Sequence, residues 1–110
     1  MPLDIDAIQR LVRQGMYEFS IHAQQERLEE DLDVTEIEAA LVQGEILEAY
    51  PDDPRGESCL VVGYAGAQPI HAVVGWARTT SEEGNILRLI TVYIPQPPKW
   101  NDPRTRRRQP

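Results

Sequence analysis

The chain has 110 residues, of which 41% are hydrophobic and 26% are charged, and its formal net charge is −7; these values fit one globular domain with a single modest core. No apolar run approaches the about 20 residues of a membrane helix, and the N-terminus lacks the features of a signal peptide, so we expect a cytoplasmic protein without membrane contact. With one cysteine and two histidines, the sequence predicts neither a disulfide nor a metal or cofactor site.

The first 32 residues carry two segments with helical periodicity. In the first, Asp4 is placed as the N-cap and Gly15 as the C-terminal stop. Ser20 is the N-cap expected for the second segment, in which Ile21 and Leu28 would face the interior. The sequence therefore predicts two short amphipathic helices.

After a third helical segment the periodicity changes to that of strands. Thr35 and Glu38 fit a capping box, and Gly44 is placed to end this helix. Helices followed by strands predict an α+β fold, with N-terminal helices packed on one face of a C-terminal antiparallel sheet and the other face free as a working surface. We expect about four strands, at residues 45–50, 58–64, 69–76 and 85–94.

The last predicted strand leads into a proline-rich exit and a basic tail. Pro95, Pro97 and Pro98 lack the N–H group that a strand ladder needs. Residues 1–98 carry a charge of −11, whereas residues 99–110 carry +4. We therefore treat 1–98 as the single domain and 99–110 as a Pro/Arg-rich tail, which either binds a phosphate backbone or an acidic partner or remains solvated and disordered.

Three polar residues are predicted on the helix-free face of the sheet. His71 alternates with apolar residues along its strand, and Thr91 and Tyr93 alternate in the same way along the last strand. An imidazole beside a phenol can act as an acid/base pair, because histidine titrates near neutral pH. The other interpretation of His71 is a half-buried histidine that is hydrogen-bonded to a neighbour.

Four further residues are candidates for binding or catalysis. His22 lies in the first turn after Ser20, where the helix dipole favours a neutral ring, and it either accepts a proton or pairs with Glu26 on the surface. Arg55 and Lys99 are cations near strand ends that suit a phosphate, although Arg55 also fits an anchor for its own turn. Trp100 either stacks on a base or covers the core.

These candidates together fit one reaction class, the metal-independent cleavage of RNA. In this reaction a base deprotonates the ribose 2′-hydroxyl, cations stabilise the charge that develops on the phosphate, and an acid protonates the leaving oxygen. The same residues also fit a noncatalytic binding module, and the acidic body argues against nonspecific nucleic-acid binding by the whole surface.

Four blocks of the sequence carry a resemblance: FSIHA, VTEIEAALVQGEILEAYPDDPRGESCLVVG, PIHAVVGW and ITVYIPQPPKW. In this order and spacing, from about residue 17 to residue 104, the chain resembles DUF4258, a family described as a domain of unknown function. Its members are similar to small toxins of the RelE/MqsR type, and their genes often neighbour one for a YgiT-type zinc-finger antitoxin. The resemblance implies a RelE/MqsR-like α+β fold and a zinc-finger protein as partner.

The leading hypothesis is a toxin of a bacterial type II toxin-antitoxin pair that acts as a metal-independent endoribonuclease on RNA. The alternative is a noncatalytic protein-interaction domain, whose candidate acid/base side chains would lie more than about 10 Å apart. The sequence leaves the oligomeric state open. For the nuclease, the candidate catalytic residues are His22, His71 and Tyr93, and the candidate substrate-binding residues are Arg55, Thr91, Lys99 and Trp100.

Overall fold

The structure is a computed structural model that describes residues 3–54, 56–77, 86–97 and 99–106. The described part of the chain contains no helix that is long and apolar enough to cross a membrane. The helices are α1 (Ile5–Arg13), α2 (Ile21–Glu29) and α3 (Val34–Val42). The strands are β1 (Tyr17–Phe19), β2 (Glu45–Tyr50), β3 (Ser58–Ala65), β4 (Gln68–Trp76), β5 (Leu87–Tyr93), β6 (Trp100–Asp102) and β7 (Thr105–Arg106).

The first two helices begin at the residues that the sequence predicts. The Asp4 side chain accepts a hydrogen bond from the backbone N–H of Ala7 at 2.8 Å, and the Ser20 hydroxyl accepts one from Ala23 at 2.9 Å. Each bond satisfies an N–H group that has no partner inside the helix. The Ser20 hydroxyl also donates to the carbonyl of Ile90 at 2.9 Å, so this cap joins α2 to β5.

The predicted capping box of α3 was wrong by two residues. The N-cap is Asp33, whose carboxylate accepts from the N–H of Glu36 at 2.9 Å, while the Glu36 side chain accepts from the N–H of Asp33 at 3.1 Å. Thr35 donates its hydroxyl to Asp33, and Glu38 accepts a hydrogen bond from the Tyr17 hydroxyl at 2.5 Å. Asp33/Glu36 and Thr35/Glu38 both have the spacing of a capping box. The side chain of Glu38 is bound to Tyr17, and the Asp33/Glu36 pair begins the helix.

The inward face of α2 also differs from the prediction. Ile21 and Leu28 are 78% and 63% exposed, whereas Ala23 is fully buried. The small side chain of Ala23 lets the helix lie close to β5, while Arg27 lies over the ring of Phe19 at 5.7 Å. The helix thus contacts the sheet through the small residue Ala23, and not through the large apolar residues that its periodicity predicts on the inward face.

The main sheet is mixed and has five strands in the order β1-β5-β4-β3-β2. The four antiparallel strands β2 to β5 agree with the sequence, but a purely antiparallel sheet of about four strands was wrong because β1 pairs with β5 in parallel. β1 has only three residues, too few to show an alternating pattern. It forms because the edge of β5 offers unpaired backbone groups, as in the 2.9 Å bond from the N–H of Ser20 to the carbonyl of Leu89.

The helices cover one face of this sheet, as the sequence predicts. Ile70, Ala72 and Val74 point from β4 into the core between the sheet and the helices. The closest approach is between α3 and β3, where a Cβ atom on Gly63 would lie 1.9 Å from the carbonyl oxygen of Ala40. Gly63 is therefore required for α3 to pack directly on the backbone of β3.

A second layer covers half of the helix-free face. The chain leaves β5, and β6 and β7 then form a two-stranded antiparallel hairpin, residues 100–106, that we call the C-terminal hairpin. Its Trp100 is buried against the sheet. These residues belong to the segment predicted as a basic tail, so residues 100–106 are packed structure and not a solvated terminus.

Candidate functional site

The register of the strands arranges the helix-free face in three rows. Residues directly opposite each other on paired strands point to the same face, so each row runs across the sheet. The first row is Tyr50, Ser58, Gly75, Arg88 and Glu18; the second is Glu48, Leu60, Val73 and Thr91; the third is Glu45, Val62, His71 and Tyr93.

The C-terminal hairpin lies over the third row and encloses His71, which is 0% exposed. His71 Nδ1 is 3.1 Å from the hydroxyl of Tyr93, and its Nε2 is 2.5 Å from the carbonyl oxygen of Pro103. The indole of Trp100 meets the imidazole edge-on, with ring centroids 4.5 Å apart. Because a carbonyl can only accept, Nε2 carries the hydrogen and donates to Pro103, and Nδ1 of the neutral ring accepts from Tyr93.

Burial determines the protonation states of this pair. It lowers the pKa of His71 below its ordinary value, and the hydrogen bond to Pro103 opposes this shift. Burial raises the pKa of Tyr93. The indole Nε1 of Trp100 has no hydrogen-bond partner of normal geometry within the described residues, yet it lies close enough to the Tyr93 hydroxyl to oppose that rise in pKa. At neutral pH the third row thus holds a neutral imidazole beside a protonated phenol.

Arginine–glutamate pairs attach the hairpin to β2. Arg106 binds Glu48 with two hydrogen bonds, from Nη2 at 2.7 Å and from Nε at 3.2 Å, and its guanidinium carbon is 4.6 Å from the centre of the Trp100 ring. These hydrogen bonds lower the pKa of Glu48. Arg104 pairs with Glu45 in the next row. Cations of the basic segment are therefore paired with the acidic body of the same chain.

His22 lies outside this arrangement. Its side chain is 67% exposed on α2, and Nε2 is 3.3 Å from Oε1 of Glu26. The same Glu26 oxygen accepts a hydrogen bond from the backbone N–H of Val92 at 3.0 Å. His22 is thus the surface histidine paired with Glu26 that the sequence offered as its second interpretation, while Glu26 covers the edge of β5 next to Tyr93.

The remaining candidates fall in three places. Lys99 is exposed, with its Nζ atom 6.0 Å from the centre of the Tyr93 ring, and Trp100 packs on His71 as a cover. Thr91 lies in the second row, beyond the hairpin. Arg55 lies outside the described residues. The structure thus brings together His71, Tyr93, Lys99 and Trp100.

The uncovered part of the helix-free face forms a depression of about 580 Å³, which we call the open groove. Sequence reasoning missed it, together with the Glu48–Arg106 pair. The alternation of Glu48 and Tyr50 in β2 was the available signal, because it puts two polar side chains on the face that carries His71. The groove is lined by residues of the first two rows, among them Tyr50, Ser58, Val73, Gly75, Arg88 and Thr91.

Comparison with known families places the sequence in one family. The family DUF4258, a domain of unknown function, matches residues 19–94, which run from the end of β1 to just beyond β5. The chain belongs to this family. No curated protein and no solved structure matches it. The matched DUF4258 segment includes His22, His71, Thr91 and Tyr93, and it ends before the C-terminal hairpin.

Proposed function

We propose that this DUF4258 protein is a metal-independent endoribonuclease of the RelE/MqsR type, with His71 and Tyr93 as its acid/base pair. The observation that carries the proposal is the 3.1 Å hydrogen bond between His71 Nδ1 and the Tyr93 hydroxyl. Two cations flank this pair, since Lys99 is 6.0 Å from the Tyr93 ring and Arg106 stacks on the neighbouring Trp100. A neutral base, a protonated acid and nearby positive charge are the groups that RNA cleavage requires.

Tyr93 is the member of the pair that meets the RNA. It is only half-buried, whereas His71 is enclosed and acts through it. The ribose 2′-hydroxyl gives its proton to the Tyr93 oxygen while the Tyr93 proton moves to Nδ1 of His71, and the 2′-oxygen then attacks the phosphorus. The reverse transfer delivers the proton to the leaving 5′-oxygen. Lys99 stabilises the charge on the phosphate.

The cellular setting of the proposal rests on the resemblance of the four sequence blocks to toxin-like relatives. We place the protein in the cytoplasm as the toxin of a type II pair, with a zinc-finger antitoxin as its protein partner. Within this proposal the RelE/MqsR-like fold supplies the sheet face that carries the catalytic pair. The bound antitoxin blocks access of RNA to this face.

The test compares RNA cleavage by the purified protein, freed of any bound partner, in the presence of a metal chelator. We expect Tyr93→Phe and His71→Gln to lower the cleavage rate at least about 100-fold, the typical contribution of acid/base catalysis. Matched controls are Tyr64→Phe and His22→Gln, which change the same residue types on the exposed surface. Circular dichroism confirms that each variant is folded.

Three results would contradict the proposal. The first is intact RNA with the wild-type protein. The second is cleavage by Tyr93→Phe at the wild-type rate, since Tyr93 is the group placed against the substrate. The third is an equal loss in His22→Gln and His71→Gln, since His22 is the control that lies outside the pair.

A noncatalytic interaction domain is the second candidate, and one observation favours it. His71 is fully enclosed and both ring nitrogens have protein partners, which is typical of a histidine that stabilises a fold. This candidate predicts that wild type and His71→Gln both leave RNA intact while His71→Gln unfolds at a lower denaturant concentration. The RNA assay and a urea titration on the same samples separate the two candidates.

A further inference from the structure

A glycine lies in the lining of the open groove, in close contact with its neighbours. Gly75 belongs to the first row, and a Cβ atom there would be 3.0 Å from the carbonyl oxygen of Glu57 and 3.2 Å from Cδ1 of Ile90. Its register partner is Ser58, which also lines the groove. The absence of a side chain at Gly75 therefore lets the Glu57 backbone and the Ile90 side chain lie close to β4 at this part of the groove.

Polar side chains with free hydrogen-bonding capacity among the described residues line the groove. Ser58 is buried, and the hydroxyls of Ser58 and Thr91 make no hydrogen bond among the residues that the structure describes. Arg88 binds Glu18 through Nη1 at 3.2 Å, and its guanidinium is partly exposed with further N–H donors. Two hydroxyls and a guanidinium are the donors that commonly bind a phosphate group.

Apolar and aromatic groups also line the groove. They include Tyr50, which lies in the first row, Val73 and Ile90. The Tyr50 hydroxyl donates to Glu48, which fixes the position of the ring. A planar base can stack on such a ring without sequence-specific hydrogen bonds.

We propose that the open groove binds one nucleotide of a single-stranded RNA, with the base against Tyr50 and the phosphate at Arg88, Ser58 and Thr91. This inference rests on the proposed nuclease and identifies where its substrate lies. Thr91 and Tyr93 are two residues apart on one face, about 7 Å along the strand, so RNA held in the groove leads directly to the catalytic pair.

The charges around the groove limit the contribution of phosphate charge to nucleotide binding. Glu18 partly neutralises Arg88, and Asp53 and Glu57 also line the groove. Stacking and hydrogen bonds must therefore contribute more than phosphate charge, and we expect binding to depend only weakly on salt. Inorganic phosphate alone should bind at least about tenfold more weakly than a nucleotide, because it lacks the stacking contribution.

The test measures binding without cleavage. The probes are the four nucleoside 5′-monophosphates, inorganic phosphate, and a short RNA with 2′-O-methyl riboses, which lacks the attacking hydroxyl. Chemical shifts of the ¹⁵N-labelled full chain should change at Ser58, Gly75 and Thr91 when a nucleotide or the RNA is added. Shifts confined to Lys99 and the C-terminal hairpin would overturn the inference.

Variants of the groove have matched controls elsewhere on the protein. Thr91→Val should weaken nucleotide binding about fivefold, the equivalent of one neutral hydrogen bond, while Thr105→Val on the exposed hairpin should not. Tyr50→Leu should weaken it about tenfold or more, because a base then has no ring to stack on. Tyr50→Phe keeps the ring but loses the hydrogen bond to Glu48, so it should weaken binding less than Tyr50→Leu does. Tyr64→Leu, at an exposed residue outside the groove, should bind like wild type.

The two proposals fail in different ways. RNA cleavage that is unchanged in Thr91→Val and Tyr50→Leu, with no nucleotide shifts in the groove, would overturn the groove inference and leave the nuclease intact. Nucleotide shifts in the groove together with RNA that is never cut would overturn the nuclease while supporting the groove as a nucleotide site. Shifts caused by a basic peptide and not by any nucleotide would assign the groove to a protein partner and overturn the inference.

Discussion

The two halves of the helix-free sheet face are built by the same strands but differ in their cover. In the third row, His71 is completely buried, because Trp100 and the carbonyl of Pro103 in the C-terminal hairpin lie against it. In the first row, Arg88 and Tyr50 remain partly exposed around the open groove. The imidazole of His71 is therefore enclosed by residues that lie outside the main sheet, and the side chains around the open groove have no such cover among the described residues.

The contacts that hold the two halves also differ. The covered half combines the indole of Trp100 with ionic pairs from Arg104 and Arg106 to β2. The open half has the Arg88–Glu18 pair at its edge, and the hydroxyls of Ser58 and Thr91 have no hydrogen-bond partner within the part of the chain that the structure describes. Because packing and ionic contacts hold the covered half, substitutions there should affect stability. Substitutions in the open half should affect binding.

The largest expected effect is that of Trp100→Ala. The indole is buried against His71, and removing a buried aromatic side chain costs about 3–5 kcal/mol. We expect a decrease of about 3 kcal/mol in the free energy of unfolding, measured by urea denaturation. Tyr64→Ala, at an exposed aromatic residue, should lower stability by less than about 1 kcal/mol. A loss below about 1 kcal/mol in Trp100→Ala would show that the hairpin contributes little to the fold.

The second effect is a dependence of stability on pH that arises from His71. Its pKa is lowered in the folded protein, chiefly by burial, whereas an unfolded histidine titrates near pH 6.5. As the pH falls through about 6.5, the unfolded state binds more protons, so the free energy of unfolding decreases until the lower folded pKa is reached. The slope is at most about 1.4 kcal/mol per pH unit.

Urea titrations between pH 7.5 and pH 5.5 measure this slope. His71→Gln should make this slope flatter than it is in wild type. The pKa of Glu48 is lowered in the folded protein, chiefly by its hydrogen bonds to Arg106, so its contribution to stability is lost only as the pH falls through the ordinary glutamate value of about 4.3, below the range of this titration. Equal slopes in wild type and His71→Gln would show that the imidazole is accessible to protons in the folded state.

A smaller effect is expected for the ionic attachment of the hairpin. Glu48→Gln removes the charge that binds Arg106, and the pair is partly exposed, so we expect a loss of about 0.5–1 kcal/mol that shrinks at high salt. Glu45→Gln breaks the more exposed pair with Arg104 and should cost about 0–0.5 kcal/mol. Thermal denaturation at low and high salt measures both, and the reverse order of costs would contradict the roles assigned to the two pairs.

The smallest effect is expected in the open groove. Thr91→Val keeps the β-branched shape in β5 and removes a hydroxyl that has no partner within the described part of the chain. The free energy of unfolding should change by less than about 0.5 kcal/mol. A larger loss would mean that this hydroxyl stabilises the sheet, and Thr91 would then be a structural residue and not a binding one.

Much of the local structure could be predicted from the sequence. β2 has the predicted bounds, the helices α1 and α2 begin after the predicted caps, and the alternation in β4 and β5 correctly put His71 and Tyr93 on one face. Each of these features depends on the side chains of the residues involved and on their immediate neighbours along the chain. β1 escaped prediction because three residues show no period, and its pairing comes from the free edge of β5.

The sequence by itself therefore determined the order of the three helices and of strands β2 to β5, the caps of α1 and α2, and the face on which His71, Thr91 and Tyr93 lie, because periodicity and capping are local properties. Only the tertiary structure decided that His71 is enclosed while Thr91 borders a groove, because both depend on where the segment after β5 folds back. That segment has the composition of a solvated tail, but Arg104 and Arg106 pair with Glu45 and Glu48, and Trp100 packs on His71. Those contacts join residues more than 25 positions apart in the chain, and a local sequence pattern cannot predict such contacts.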